Sequence, residues 1–117
     1  MEVAKNFQDL IVWQKSHQFV LDVYKLSANF PKEEMYGLTS QLRRAVISVP
    51  ANIAEGFKRK SRAEKSRFYN IAEASLEETR YFLILAKDLN YIKENSFQNN
   101  IDEICKMLTA HIMQLKK

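Results

Sequence analysis

Apolar residues recur at three- and four-residue steps along most of the chain, which is the spacing of helices that bury one face. The clearest run lies between Gly37 and Lys60, where one stripe is formed by Leu38, Leu42, Val46, Val49, Ile53 and Phe57. Pro50 falls inside this run, and proline removes an amide donor and crowds the carbonyl four residues earlier. Because the stripe continues in phase past Pro50, the sequence predicts one helix that is kinked there.

The same spacing predicts a helix before this run and two after it. The first extends from Asp9, a good N-cap residue, to about Asn29, where Phe30-Pro31 ends it. The predicted core stripe of this helix is Val12, Trp13, Ser16, Phe19, Val20, Val23, Leu26, Ser27 and Phe30.

The third helix begins at a capping box, in which Ser61 is followed three residues later by Glu64, and it runs to about Leu89. The fourth follows a cap at Asn95 or Ser96. Four helices with short connectors predict an all-α fold, an up-down-up-down antiparallel four-helix bundle. We expect residues 1–8 to form an N-terminal tail and residues 9–117 to form a single domain.

The third helix carries more apolar surface than one bundle core can bury. Its predicted core face is Phe68, Ala72, Ser75, Thr79, Phe82, Leu83 and Ala86. Other apolar side chains fall outside that face, and on the second helix Arg43 and Ile47 are predicted to point roughly opposite the core. Surplus apolar surface on two helices favours assembly with closed symmetry. The residues predicted at such an interface are Arg43, Ile47, Tyr81, Ile84 and Leu85.

Composition agrees with one small helical domain. The chain has 117 residues, of which only 2 are glycine and 2 are proline, so turn residues are scarce. The formal net charge of +4 permits an acidic partner without requiring one. The lone Cys105 fits a reducing compartment. The start of the chain lacks the pattern of a signal peptide, and no apolar run is long enough to span a membrane. We therefore expect a cytoplasmic protein that has no membrane partner.

Basic residues cluster where the second helix gives way to the third. The cluster consists of Lys58, Arg59, Lys60, Arg62, Lys65 and Arg67. Cations at the end of the second helix complement its dipole, but those at the start of the third oppose that helix's dipole, so capping does not explain them all. Two interpretations stay open: a surface that neutralises nucleic-acid phosphates, or a solvated helix end.

A polar line runs beside the apolar stripe of the second helix and consists of Gln41, Ser48, Asn52 and Glu55. Pro50 leaves the carbonyl of Val46 without its usual amide donor, and a polar side chain or a water molecule nearby could satisfy it. The line is either a binding site or a network that fixes helix packing. We favour the network, since buried polar groups have to be paired.

Candidate catalytic chemistry is sparse. A di-metal bundle site needs Glu-x-x-His, yet Gln14 and Leu108 stand three residues before His17 and His111. These histidines and Cys105 lack metal-ligand spacing, and the two glycines cannot build a phosphate-binding loop. We predict that the protein is not an enzyme and that it has no catalytic residues, metal or cofactor.

Several segments resemble one known family. They are Tyr36-Gly37-Leu38-Thr39-Ser40-Gln41-Leu42-Arg43-Arg44-Ala45, Ser48-Val49-Pro50-Ala51-Asn52-Ile53-Ala54-Glu55-Gly56, Phe7-Gln8-Asp9-Leu10-Ile11-Val12-Trp13-Gln14-Lys15 and Ser75-Leu76-Glu77-Glu78-Thr79-Arg80-Tyr81. They resemble the four-helix bundle proteins encoded in intervening sequences of 23S rRNA genes, a family largely of unknown function. The resemblance implies a homo-oligomer, with a pentamer expected.

A related branch of that family comprises the accessory proteins of diversity-generating retroelements, which bind nucleic acid and a reverse transcriptase. By this analogy we expect RNA or DNA, and a reverse transcriptase, as partners. The function predicted from sequence is a non-catalytic, oligomeric, nucleic-acid-binding bundle. The alternative is a protein–protein adaptor that binds no nucleic acid.

Overall fold

The computed structural model describes residues 3–94 and 97–116, which fold into four helices that form one elongated bundle measuring 45 × 24 × 21 Å. The helices are α1 (Ile11–Ser27), α2 (Leu38–Lys58), α3 (Arg62–Asp88) and α4 (Gln98–Leu115). Short 3-10 turns at Phe7–Asp9 and Lys32–Glu34 precede α1 and α2. No strand occurs in the described ranges. The predicted all-α four-helix bundle is confirmed.

The apolar stripes meet along the bundle axis. On α2, Leu42, Val46, Val49 and Ile53 are fully buried, as predicted. They pack with residues from the other three helices into one continuous core, whose fully buried members include Val23, Ala72, Leu76, Ala86, Ile101 and Leu108. Leucine, isoleucine and valine dominate this core, so hydrophobic burial supplies the main driving force for the fold.

The buried face of α3 matches the predicted face at four of its seven positions, Ala72, Thr79, Leu83 and Ala86. At the other three positions the sequence predicted Phe68, Ser75 and Phe82 in the core, but these residues are half-buried, and the structure buries Tyr69 and Leu76 instead. Each of these three residues is followed in the sequence by an apolar or aromatic residue that fits the core stripe equally well. Because α3 is apolar on much of its circumference, periodicity alone did not fix the phase.

The end of α2 and the start of α3 lie at or within two residues of the positions predicted from the sequence. The Ser61 hydroxyl accepts a hydrogen bond from the Glu64 amide at 3.1 Å, so the predicted cap of α3 is confirmed. Helix α2 ends at Lys58, two residues before the predicted end at Lys60. It continues without a break through the buried Pro50, while the kink predicted at this residue remains a prediction.

The predicted cap of α1 is wrong. Asp9 lies in the preceding 3-10 turn, and α1 starts at Ile11 with Leu10 at the cap position. The Asp9 carboxylate instead accepts hydrogen bonds from the backbone amides of Lys5 (2.9 Å) and Asn6 (3.2 Å). The residue therefore anchors the N-terminal segment, and the Phe7 ring packs edge-on against Trp13 at 5.1 Å. The predicted caps of α4, Asn95 and Ser96, lie outside the described residues.

Helices α2 and α3 pack against each other most extensively, whereas α1 packs much less extensively against α4. At Gly56 the two helices leave no room for a side chain, because an added Cβ would lie 2.7 Å from Cε1 of Tyr69. The absence of a side chain on Gly56 therefore lets the buried Tyr69 ring lie against the α2 backbone.

Candidate nucleic-acid interface

The α2–α3 connection brings the predicted cations together at one end of the bundle, because only residues 59–61 separate the two helices. We call this the basic end. Lys58, Arg59, Lys60, Arg62 and Arg67 are exposed there, and Lys65 is half-buried. An exposed cluster of cations at a helix connection creates a positive potential that attracts polyanions.

Lys65 serves the fold rather than a ligand. Its ammonium donates to the carbonyls of Phe57 at 2.7 Å and Gly56 at 3.2 Å, which are among the last carbonyls of α2. The final carbonyls of a helix lack amide partners, so a cation placed there caps the helix and complements its dipole. Partial burial lowers the pKa of this ammonium.

An aromatic ring organises two of the arginines. The guanidinium of Arg59 lies 4.7 Å from the centre of the Phe68 ring, and that of Arg67 lies 5.1 Å from it. Arg59 also pairs with Glu55 at 2.8 Å and more loosely with Glu64 at 3.9 Å. Its charge is therefore largely balanced within the chain. Phe68, predicted in the core, instead supports cations at the surface.

The fold adds a cation that the sequence analysis missed. Lys5 lies with Lys58 along a groove of about 350 Å³ between the N-terminal segment and the end of α2, which Phe7 and Ala54 also line. Because the helices are antiparallel, the last turn of α4 with Lys116 reaches the same end. The residues are far apart in sequence, so only the bundle topology could have revealed this grouping.

The polar line divides into two parts. Asn52 donates from Nδ2 to the carbonyl oxygen (2.8 Å) and the hydroxyl oxygen (2.9 Å) of Ser48, and the Ser75 hydroxyl of α3 bonds to the same hydroxyl at 2.8 Å. This part joins α2 to α3. Glu55 pairs with Arg59 at the basic end, and Gln41 is exposed. Asn52 therefore bonds to the carbonyl of Ser48, and not to the carbonyl of Val46 that Pro50 deprives of its amide donor.

A family model described as 23S rRNA-intervening sequence protein matches residues 8–110. The chain belongs to this family. It is also similar to the crystal structure of a protein of unknown function from the S23 ribosomal protein family of Bacteroides thetaiotaomicron. The two share 31% sequence identity and superpose with a TM-score of 0.80 over 87% of this chain and 98% of the other. No curated protein shows significant similarity.

In this member of the 23S rRNA-intervening sequence family, Arg80 and Arg43 bind different kinds of partner. Arg80 pairs with Glu77 at 3.1 Å and also reaches Asp102 of α4 at 2.8 Å. Arg43 does not point opposite the core. Its guanidinium donates to the hydroxyl of Ser27 at 2.8 Å and covers the Tyr24 ring at 4.4 Å. A long side chain on α2 can reach across to α1, which a helical projection does not show.

The remaining interface candidates differ in exposure. Tyr81 is 57% exposed, Ile47 41% and Ile84 40%, whereas Leu85 is half-buried and packs against the chain's own core. The most exposed aromatic side chain is one that the sequence analysis did not single out, Tyr36 at 92%, which lies just before α2. None of the described helices is both long and apolar enough to cross a membrane.

Proposed function

We propose that this protein binds the phosphate backbone of RNA or DNA through its basic end, without catalysis and without a cofactor. The observation that carries the proposal is the exposed cluster around the α2–α3 connection, where Lys58, Lys60 and Arg67 are exposed on either side of the connection. Cations account for most of the sequence-independent affinity of proteins for nucleic acid.

The contacts within the chain predict which cations contribute. Lys65 caps α2 and Arg59 is paired with carboxylates, so these two contribute least. Lys58, Lys60 and Arg67 contribute most, and Lys5 extends the surface across the neighbouring groove. Binding by one copy is then weak and strongly dependent on salt concentration, as expected for a few phosphate contacts.

Assembly would strengthen such binding. We propose a homo-oligomer, with a pentamer expected from the family resemblance, in which the exposed Ile47, Tyr81 and Ile84 contribute to the contacts between copies. Closed symmetry would repeat the basic end once per copy and raise the effective concentration of cations along one nucleic acid. The proposal has three further parts. The protein is related to the accessory proteins of diversity-generating retroelements, it has a reverse transcriptase as a partner, and it is located in the cytoplasm.

The test is a titration of labelled RNA and DNA at several salt concentrations. The variant Lys58→Gln/Lys60→Gln/Arg67→Gln removes charge at the basic end. A matched control, Lys25→Gln/Lys32→Gln/Lys87→Gln, removes the same charge from exposed positions near the other end. We expect the first variant to lower the slope of log affinity against log salt by about 0.9 for each lost phosphate contact.

The control variant should leave that slope nearly unchanged. Equal weakening by both variants would mean that net charge, rather than the basic end, attracts the nucleic acid. A lack of binding by the wild-type protein would reject the proposal outright.

The second candidate is a protein–protein adaptor, and the exposure of Tyr36 and Tyr81 favours it. Exposed aromatic residues are common anchors of protein interfaces. A pull-down treated with nuclease separates the two functions, because an adaptor keeps its protein partner when nucleic acid is destroyed. Tyr36→Ser should then release that partner without changing the binding of labelled RNA.

A further inference from the structure

A second concave surface lies beside the basic end, between the N-terminal segment and the last turns of α4. The cleft has a volume of about 1220 Å³. Its lining combines polar and apolar side chains and includes the charged Lys5 and Asp9 at the edge formed by the N-terminal segment; the residues used below are Asn6, Leu10, Gln14, Met107, His111 and Gln114. The cleft exists because α1 and α4 pack less extensively than the other neighbouring helices.

The walls of this cleft are held by hydrogen bonds within the chain. The Asp9 carboxylate fixes the backbone at Lys5 and Asn6, which form one edge. On α1, Gln14 donates from Nε2 to the carbonyl of Gln8 at 2.8 Å, which sets the orientation of its amide and leaves Oε1 as an acceptor. The Gln14 amide and the N-terminal edge are therefore positioned before any ligand arrives, which lowers the entropic cost of binding.

His111 contributes a neutral donor–acceptor pair. Its ring is half-buried and packs edge-on against Tyr69, with ring centres 6.0 Å apart. Burial lowers the pKa of the imidazole, so at neutral pH one ring nitrogen donates and the other accepts a hydrogen bond. Together with the amides of Asn6, Gln14 and Gln114, the cleft offers both donors and acceptors over apolar side chains.

This chemistry suits a flat, uncharged, heteroaromatic ligand better than an anion or a hydrocarbon chain. Side-chain amides form paired hydrogen bonds with base edges, and proteins that read single-stranded RNA stack bases on histidine and other flat groups. The cleft also shares Lys5 and Asn6 with the groove that contains Lys58, so the two surfaces are continuous. A backbone lying on the basic end would pass the mouth of the cleft.

We propose that this cleft receives one unpaired base of a nucleic acid whose backbone lies on the basic end. The inference rests on the proposed function and adds selectivity for single-stranded or bulged sites to it. Fully paired duplexes would use only the cations. An unpaired base would gain the contacts of the cleft in addition.

The experiment compares three RNA duplexes of equal length: one fully paired, one with a single bulged adenosine and one with an abasic residue at the bulge. We expect the bulged adenosine to bind about tenfold more tightly than the other two, the gain typical of one well-held base. The abasic duplex separates recognition of the base from recognition of a bent backbone.

Two substitutions on the same helix provide the matched pair. Ala110 is exposed and lines the cleft, so Ala110→Trp should fill it and abolish the tenfold preference while leaving affinity for the paired duplex unchanged. Met113 is 58% exposed, and Met113→Trp should keep the preference. Circular dichroism and urea unfolding verify that both variants fold.

The outcomes distinguish the two proposals. Salt-dependent binding of all three duplexes with equal affinity overturns the base cleft and leaves the proposed function intact. A preference that survives Ala110→Trp in a folded protein also overturns the base cleft. Failure of the wild-type protein to bind any of the duplexes overturns both.

Discussion

The contact between Gly56 and Tyr69 decides whether Gly56→Ala raises or lowers the free energy of unfolding. In Gly56→Ala, helix propensity favours alanine by up to about 1 kcal/mol. The new Cβ would nevertheless lie 2.7 Å from Cε1 and 3.0 Å from Cδ1 of Tyr69, far inside the roughly 3.5–4.0 Å of an ordinary carbon–carbon contact.

The ring has little room to move away. Tyr69 is 6% exposed, and the His111 ring packs against it. Overpacking of this kind costs about 1–3 kcal/mol in proteins. After subtracting the propensity gain, we expect Gly56→Ala to lower the free energy of unfolding by about 1 kcal/mol.

Urea unfolding followed by circular dichroism measures the change. Two controls separate the two effects. Ala51→Gly, at an exposed position of the same helix, should lower stability by about 1 kcal/mol and so calibrate propensity. In a Tyr69→Val background, which removes both clashing ring atoms, Gly56→Ala should become neutral or stabilising. If Gly56→Ala alone raises the free energy of unfolding of the otherwise wild-type protein, the packing argument is refuted.

Three further predictions concern the same end of the bundle and the α2–α3 contact. Burial lowers the pKa of His111 in the folded state, so the unfolded state binds the proton more readily. The free energy of unfolding should therefore fall as the pH drops below the ordinary histidine pKa of about 6.5. Urea unfolding at several pH values should show that His111→Leu flattens this dependence. Lys65→Met should cost about 1 kcal/mol through loss of the α2 cap, whereas Lys60→Met, at an exposed position, should change the unfolding midpoint little; equal effects would contradict the capping role. Ser75→Ala should cost about 1 kcal/mol by breaking the bond to Ser48, and an unchanged midpoint would show that the bond adds no stability.

Local rules predicted the features that depend on neighbouring residues in sequence. The cap formed by Ser61 and the stripe of α2 depend on spacing along one helix, and the structure contains both. Such features follow from helix geometry and hold in almost any tertiary context.

Features that depend on distant residues were missed or misplaced. The complete core face of α3 depends on which neighbouring helix approaches it. The contact of Arg43 with Ser27 depends on the position of α1. The grouping of Lys5 with Lys58 required the antiparallel topology. For Asp9, the sequence signal of a cap was correct in kind, but its carboxylate bonds to amides before it in the chain.

The unequal packing of the helices divides the molecule into a stiff hairpin and two softer flanks. Helices α2 and α3 are joined by the Tyr69 ring lying against Gly56 and by a hydroxyl pair, so their amides should exchange with solvent most slowly. We expect residues on this hairpin, among them Ile47 and Tyr81, to keep their relative positions better than residues on α1 and α4. Transient separation of α1 from α4 would widen the space beside His111 and leave the hairpin unchanged, so a ligand that enters there should slow exchange in the flanks alone.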